Sequence, residues 1–155
     1  MKKASIILLS IILFFSQFQL TAQAQVPTSY STSYQSGDYT IVETTTVYQN
    51  SSNARATKSV TANRTARVVN YAGTTVASFT LTATFTYNGN SATCTSASCS
   101  KYVSSSAWGF TTASAGKSGA AAVGYYTVVH YVNGKQESST SGSVTLKCDK
   151  NGNIS

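Results

Sequence analysis

The chain is poor in groups that change protonation near neutral pH. Among 155 residues it has four aspartates and glutamates in all and a single histidine, His130. General acid–base catalysis requires such groups to stand together: a hydrolytic triad needs a histidine beside an acid and a nucleophile, and a glycosidase needs two carboxylates across a cleft. The sequence therefore predicts a protein that is not an enzyme and that uses no cofactor.

Metal-binding and nucleic-acid-binding patterns are also lacking. The three cysteines and one histidine do not have the paired spacing of zinc ligands, so no metal site is predicted. The one basic cluster, Arg55, Lys58, Arg64 and Arg67, is divided between the two faces of a strand and has no interleaved aromatic side chains. We interpret it as an edge strand that charge protects from self-pairing, and we predict no specific nucleic-acid partner.

One long apolar run is present, close to the N-terminus. Lys2 and Lys3 precede the apolar segment 6–15, and small residues at 22 and 24 precede Gln25. This order indicates a secretory signal peptide over 1–24 rather than a membrane anchor, which needs about 18 or more apolar residues. We expect a secreted, extracellular protein without a transmembrane segment after cleavage. Cleavage would remove two lysines from a net charge of +7 and leave +5.

Beyond this segment the composition favours β-structure. Residues 25–37 are rich in Ser, Thr and Tyr without stable alternation and are predicted to be a flexible leader, whereas 38–155 form a single domain. Thr, Val, Tyr and Phe dominate the domain, and helical periodicity is absent. About seven strands in this length are typical of an antiparallel β-sandwich of immunoglobulin-like architecture. The predicted strands are 39–48, 57–71, 75–87, 91–97, 102–114, 120–132 and 135–148.

Two Asn-Gly pairs predict the register of two hairpins. Asn88-Gly89 and Asn133-Gly134 each suit a two-residue type I′ turn, which needs two positive φ angles. Counting back from the first turn places Cys94 on the apolar face of its strand and Cys99 on the opposite face. The second turn places Val144, Leu146 and Cys148 together on a buried face.

The cysteines allow one internal disulfide bond and leave one thiol over. Cys94 and Cys148 point inward from different hairpins, so we predict a bond between them that closes a loop of about 55 residues and stabilises by about 4 kcal/mol. A bond from Cys94 to Cys99 is the alternative, and its short loop would contribute about 2 kcal/mol. With the long bridge formed, Cys99 is either a free thiol or a partner in an intermolecular bond.

The strand that contains His130 supplies the candidate binding residues. The predicted register places Tyr126, Val128 and His130 on the face opposite Val123 and Tyr125. If this strip is exposed, it is an apolar and aromatic surface for a sugar, a peptide or a second copy of the chain. The alternative is that both faces of a central strand are buried. The same register places Glu137 opposite His130, a pairing more typical of a surface contact, and Trp108 is predicted to fill the core.

Several short strings resemble small secreted proteins of Gram-positive bacteria that have no assigned activity. They are ATFTYNG at 83–89, ATCTSAS at 92–98, AW at 107–108, GKSG at 116–119 and VTLKCDKNG at 144–152. The resemblance implies an exported, disulfide-linked β domain and transfers no functional residue. Two cysteines suffice in that pattern, so Cys99 departs from it.

These features predict a secreted, non-catalytic binding or surface-associated module, with a cell-wall glycopolymer or another protein as its partner. The alternative is a cationic antibacterial or toxin-like protein that acts on anionic cell envelopes. Its positive charge favours that function through long-range attraction, but no amphipathic segment concentrates Lys or Arg.

Overall fold

The computed structural model describes residues 27–50 and 57–155, and the regular structure in these ranges is entirely β. The predicted signal peptide, 1–24, and the predicted cation Arg55 lie outside the described residues. The described part contains no helix of the length and apolarity needed to cross a membrane. Its strands are β1 (Thr28–Ser36), β2 (Tyr39–Asn50), β3 (Lys58–Val69), β4 (Thr75–Tyr87), β5 (Ala92–Val103), β6 (Trp108–Ser118), β7 (Ala121–Val132) and β8 (Lys135–Lys147).

The strands form two antiparallel sheets that contribute to one buried core. The first sheet has the order β1-β2-β3-β4-β5, and the second has the order β6-β7-β8. The predicted all-β class is confirmed, and two such sheets are compatible with a β-sandwich, but the described residues hold eight strands rather than seven. The immunoglobulin-like part of the prediction is not confirmed. Within each sheet the strands follow chain order, whereas immunoglobulin domains use Greek-key connections.

The prediction of a flexible leader at 25–37 is wrong over most of its length, because β1 occupies 28–36 and pairs with β2. Gly37, with a φ of +59°, is the first residue of a two-residue turn closed by Ser36 and Tyr39. A glycine in that position is typical of a type II′ hairpin. Hydroxyl pairs on the outer face help to hold β1, with Ser29 Oγ 2.9 Å from Thr46 Oγ1. Polar cross-strand pairs of this kind stabilise a strand that has no apolar pattern.

The core is centred on β4, whose alternation was predicted correctly. The residues of β4 that point inward are buried, and Thr and Ser side chains occupy the other face. Phe79 lies against the backbone of Gly124 on β7, where an added Cβ would stand 2.6 Å from the ring. The same ring is 5.3 Å from the Tyr126 ring in a stacked arrangement. A side chain at position 124 would therefore push the two sheets apart locally.

The β4–β5 hairpin departs from the predicted two-residue turn. Tyr87 pairs with Ala92, and the loop between them has four residues in which only Gly89 has a positive φ, +86°. The side chain of Asn88 closes the loop, since its Oδ1 accepts hydrogen bonds from the backbone N–H groups of residues 90 and 91 at 3.0 Å. The partner of Tyr87 is thus two residues later than the predicted Asn90. A shift by two residues leaves each side chain on the same face, so Cys94 stays on the apolar face and is buried, as predicted.

A β-bulge in β5 overturns the predicted orientation of Cys99. Thr95 is an extra residue in β5, because Cys94 pairs with Phe85 while Ser96 pairs with Thr84. An extra residue exchanges the two faces of all that follows it. Cys99 therefore pairs with Leu81 and packs, half-buried, against the core.

The β7–β8 hairpin has the predicted turn and another bulge. Asn133 and Gly134 have φ angles of +51° and +74°, as a type I′ turn requires. Glu137 is then an extra residue, because His130 pairs with Ser138 and Tyr131 pairs with Gln136. Because of this bulge, the residues of β7 that face the core are those predicted to face outward. The predicted burial of Val144, Leu146 and Cys148 on β8 and just after it is confirmed.

The interpretation of the basic cluster as an edge strand is wrong, since β3 is the central strand of the five-stranded sheet. The described cations do lie on opposite faces: Arg67 is exposed, and Arg64 points between the sheets. The Arg64 guanidinium donates hydrogen bonds to Thr45 Oγ1 at 2.7 Å, to Tyr30 Oη at 3.2 Å and to the carbonyl oxygen of Thr145 on β8. Arg64 thus links the two sheets, and its charge is directed away from the outer surface.

Candidate aromatic pocket

A cavity of about 550 Å³ opens at the end of the molecule where β2, β4 and β6 begin and β3 and β7 end. We call this cavity the aromatic pocket. Residues from the β1–β2 turn, the β3–β4 loop and both sheets line it: Asp38, Tyr39, Asn70, Tyr71, Val76, Trp108 and His130. A concave site with aromatic walls and a few polar groups is the usual form of a small-ligand site.

Three rings form a fixed wall of the pocket. The Trp108 and His130 rings are stacked, with centroids 4.4 Å apart and planes at 22°. Tyr39 meets Trp108 at 5.6 Å with planes at 82°, an edge-to-face contact of the kind that aromatic quadrupoles favour. The Tyr39 hydroxyl is 2.9 Å from Ser138 Oγ on β8, which holds the phenol in place. These contacts hold the three rings against one another and against β8.

His130 is oriented by an acid on the neighbouring strand. Its Nδ1 lies 3.0 Å from Glu137 Oε2, so the contact predicted from the hairpin is present although Glu137 is bulged. The His130 side chain is 26% exposed and that of Glu137 is 60% exposed. With Nδ1 engaged, Nε2 is the ring nitrogen left to contact a ligand.

Tyr71 stands on a loop that its neighbour Asn70 makes rigid. Asn70 Oδ1 accepts hydrogen bonds from the backbone N–H groups of Ala72 at 3.1 Å and Thr74 at 2.9 Å, and Gly73 adopts a φ of +78°. Within this ordered loop the Tyr71 side chain is 98% exposed. A large ring held by ordered backbone, yet packed against nothing, is a feature of a binding surface more than of a core.

The charge of the lining is acidic. Asp38 is the second residue of the β1–β2 turn and is the one acidic residue among those that line the described pocket. No lysine or arginine is among the lining residues that the structure describes. The pocket is therefore a local exception in a chain whose formal net charge is +7.

Two β-bulges lie at this pocket. Val76, which lines it, is an extra residue of β4 between the pairs Val68–Ala77 and Val69–Thr75. Glu137, which holds His130, is the extra residue of β8. Bulges are frequent beside functional sites because they redirect side chains, and these two shape the wall on both sheets.

The predicted binding strip is not exposed as a continuous surface. Tyr126 and Val128 are 2% and 1% exposed and belong to the core, because the bulge at Glu137 reverses the faces of β7. His130 lines the aromatic pocket. Trp108, which was predicted to fill the core, packs against it and also lines the pocket.

Sequence reasoning missed Asp38, Tyr39 and Tyr71 as site residues. Signals for two of the loops were present: Gly37-Asp38 between runs of Ser, Thr and Tyr is a hairpin pattern, and 70–73 has the Asn and Gly of a tight turn. Nothing local shows that the two turns meet at the same end of the molecule.

The predicted disulfide is not formed in the structure, where all three cysteines are thiols. Cys94 and Cys148 are nevertheless both buried in the core and flank the β6–β7 turn. The Cys94 N–H donates to the carbonyl oxygen of Gly119 at 2.7 Å, and the Cys148 N–H donates to that of Ala120 at 3.0 Å. Burial raises the pKa of Cys94, and burial, Asp149 and the Cys94 thiol together raise the pKa of Cys148 to about 11. Neither thiol has the lowered pKa of a reactive cysteine.

Other chemistry in the described residues is sparse. They contain no group of three or more His, Cys, Asp and Glu side chains suited to a metal ion. A second cavity of about 220 Å³ lies between β5 and β6, where Lys101 Nζ stands 6.0 Å from the centroid of the Phe110 ring. It is smaller than the aromatic pocket and lacks a comparable set of rings and polar groups.

Comparison of the chain with protein-family models, with curated proteins and with solved structures found no match.

Proposed function

We propose that the protein is a secreted, non-catalytic module that binds a component of a cell envelope through the aromatic pocket. The observation that carries this proposal is Tyr71, an almost fully exposed ring on an ordered loop at the mouth of a cavity with aromatic walls. Exposed aromatic side chains on a rigid frame supply a large contact area at a low entropic cost of binding.

The arrangement favours binding over catalysis. The described side-chain contacts of His130 with polar groups are limited to Glu137, and no serine or cysteine donates a hydrogen bond to the ring. A nucleophile held by a base that is itself oriented by an acid is the mark of a hydrolytic site. In the pocket the histidine is stacked against Trp108, an arrangement suited to building a wall.

A cell-wall glycopolymer is the partner class that this proposal adopts. Such polymers are extended and repetitive, so a shallow pocket at one end of a small domain can reach a group that projects from them. The cationic antibacterial alternative has less support, because the structure directs Arg64 into the interior and engages Lys117 Nζ with the carbonyl oxygen of Thr95.

Export and the disulfide belong to the same proposal. The N-terminal segment 1–24 has the order of a signal peptide, and an exported protein meets an oxidising environment. We propose that Cys94 and Cys148 are joined there by a bond that replaces the two buried thiols. The resemblance to small exported proteins of Gram-positive bacteria supports this view.

The test is retention on isolated cell walls and on insoluble polysaccharides. Tyr71→Ala is expected to weaken retention about three- to tenfold, which corresponds to the contribution of one aromatic contact. Tyr125→Ala is the matched control, since Tyr125 is 56% exposed on β7 and is not among the residues that line the pocket. Both variants should keep the wild-type melting temperature because each removes an exposed ring.

Retention that survives Tyr71→Ala unchanged would show that the pocket is not the binding site. Absence of retention on every wall preparation would contradict the proposed function as a whole.

A further inference from the structure

We propose that the group recognised by the aromatic pocket is a small organic ammonium, of the size and shape of a trimethylammonium head group. This inference rests on the proposed function and names the chemistry of its ligand. It is carried by the perpendicular Tyr39 and Trp108 rings, by the exposed Tyr71 ring in the same lining, by the charge of the lining and by the His130 ring that covers one face of Trp108.

The rings form the corner of a cage. Tyr39 and Trp108 stand almost at right angles, at 82°, and Tyr71 adds a third ring from the β3–β4 loop. Aromatic faces carry negative potential, and rings that surround a quaternary ammonium bind it by cation–π attraction. Perpendicular walls suit a rounded group that touches several rings at once.

The charges at the pocket favour a cation. Asp38 is among the lining residues, the Glu137 carboxylate lies 3.0 Å from His130 Nδ1, and no lysine or arginine is among the lining residues that the structure describes. A positively charged chain repels cations at long range, so a pocket selective for them has to be acidic locally. That is the arrangement found here.

The same geometry disfavours a sugar ring lying flat on Trp108. Flat stacking needs an open and unobstructed aromatic face. His130 covers one face of Trp108 with centroids 4.4 Å apart, and Tyr39 stands at 82° to the same ring, so a flat sugar would have to fit against the other face beside a perpendicular ring. Tyr71, whose side chain is 98% exposed, leaves a further ring free to contact a compact group in the pocket.

The chain offers a site-specific probe because it contains one tryptophan, and that residue lines the pocket. Choline chloride titrated into the full-length exported protein at constant ionic strength is expected to change Trp108 fluorescence in a saturable way. The neutral isostere 3,3-dimethylbutan-1-ol has the same shape without the charge, and we expect it to bind about three- to thirtyfold more weakly. Sodium chloride is the salt control.

Variants separate charge from shape. Asp38→Asn should weaken choline binding several-fold and leave binding of the neutral isostere unchanged, whereas Tyr71→Ala should weaken both. Tyr125→Ala should change neither. Equal affinity for choline and the isostere, or no saturable response to choline in a folded protein, would overturn the inference.

The outcome is distinguishable from failure of the proposed function. If retention on cell walls depends on Tyr71 and is displaced by monosaccharides but not by choline, the protein binds through the pocket and the ammonium assignment is wrong. If choline displaces it, both proposals stand.

Two sources present the same head group. Co-sedimentation with phosphatidylcholine vesicles tests a lipid, and retention on a choline-substituted polysaccharide tests a polymer. Binding to one of them that free choline displaces identifies the source, and the absence of binding to both would restrict the ligand to the free small molecule.

Discussion

The Tyr126 side chain is buried in the core although it carries a polar hydroxyl group. Its ring stacks on Phe79 at 5.3 Å, and its hydroxyl is buried without a hydrogen bond of ordinary geometry. Burial raises the pKa of the Tyr126 phenol well above its usual range, and the nearby Tyr34 adds to the effect. Removing the ring should therefore cost much more stability than removing the hydroxyl alone.

Tyr126→Ala is expected to lower the free energy of unfolding by about 3–5 kcal/mol, because it empties the space of a buried ring. Tyr126→Phe should be neutral or slightly stabilising, since the hydroxyl that it removes is buried and unpaired. Urea denaturation measures both. A large loss of stability in the Phe variant would show that the hydroxyl has a partner.

Individual residues also show which side-chain orientations could be predicted from the sequence and which could not. Local alternation correctly placed Phe79 and Phe85 inside, because a period of two is a property of the strand itself. It failed for Tyr126 and Cys99, because one extra residue at Glu137 or Thr95 exchanges the faces. A bulge depends on contacts between strands and leaves no clear mark on either strand alone.

Among the elements, the C-terminal hook after β8 has its own polar centre. The chain turns at 149–153 and returns to pair Ile154 with Cys148. The Asp149 carboxylate accepts hydrogen bonds from the N–H groups of Asn151 at 2.8 Å and Asn153 at 2.9 Å, and from Asn153 Nδ2 at 2.7 Å. These bonds favour the ionised carboxylate and lower the pKa of Asp149 below its ordinary value of 3.8.

The hook should therefore weaken in acid. A carboxyl group with a lowered pKa in the folded state stabilises that state above the unfolded pKa, near 3.8, and loses this effect as the pH falls through the folded value. We expect Asp149→Asn to lower the melting temperature at pH 6. As the pH falls below 4, the melting temperature of this variant should decrease less than that of the wild-type protein. Asp38→Asn is the control, and an identical pH profile for the two variants would contradict the assignment.

It was easier to predict that strands are present than to predict which strands pair with each other. Seven strands were anticipated after residue 38 because Thr, Val and aromatic residues alternate there. The predicted strands 91–97 and 102–114 were misplaced, because β5 continues to Val103 and residues 104–107 are a loop before β6. β1 was missed because its sequence, TSYSTSYQS, has no apolar face, and the partner that orders it is β2. Its pairing depends on hydroxyl contacts that composition does not reveal.

Across the domain, the proposed bond between Cys94 and Cys148, which are thiols in the structure, would join β5 to the C-terminal end of the chain. Oxidation would transfer two electrons from the thiols to a disulfide oxidant by exchange, release their two protons and form one S–S bond. The closed loop should stabilise the fold by about 4 kcal/mol.

We expect peptide mapping of the exported protein without reductant to show a Cys94–Cys148 linkage, and dithiothreitol to lower the melting temperature. Cys99→Ser should keep both results. A peptide that links Cys94 to Cys99 would contradict the assignment and indicate the short bridge instead.

The aromatic pocket could not be predicted from the sequence because its residues come from separate parts of the chain. Its residues come from the β1–β2 turn, the β3–β4 loop and strands of both sheets, and they meet because all of these reach one end of the molecule. Trp108 and His130 were visible as unusual residues, but their stacking required the register of β6 against β7, in which they are direct partners.

The position of β1 has a consequence for motion. β1 is an edge strand bonded to a neighbour on one side only, so its outward amide groups should exchange their hydrogens with water earlier than those of β3 and β4. The turn that ends β1 carries Asp38, and the strand that follows carries Tyr39, so opening of this edge would loosen one wall of the aromatic pocket. A ligand in the aromatic pocket should therefore stabilise the form in which β1 is paired with β2. It should slow hydrogen exchange at the amides of β1, a strand that it does not touch.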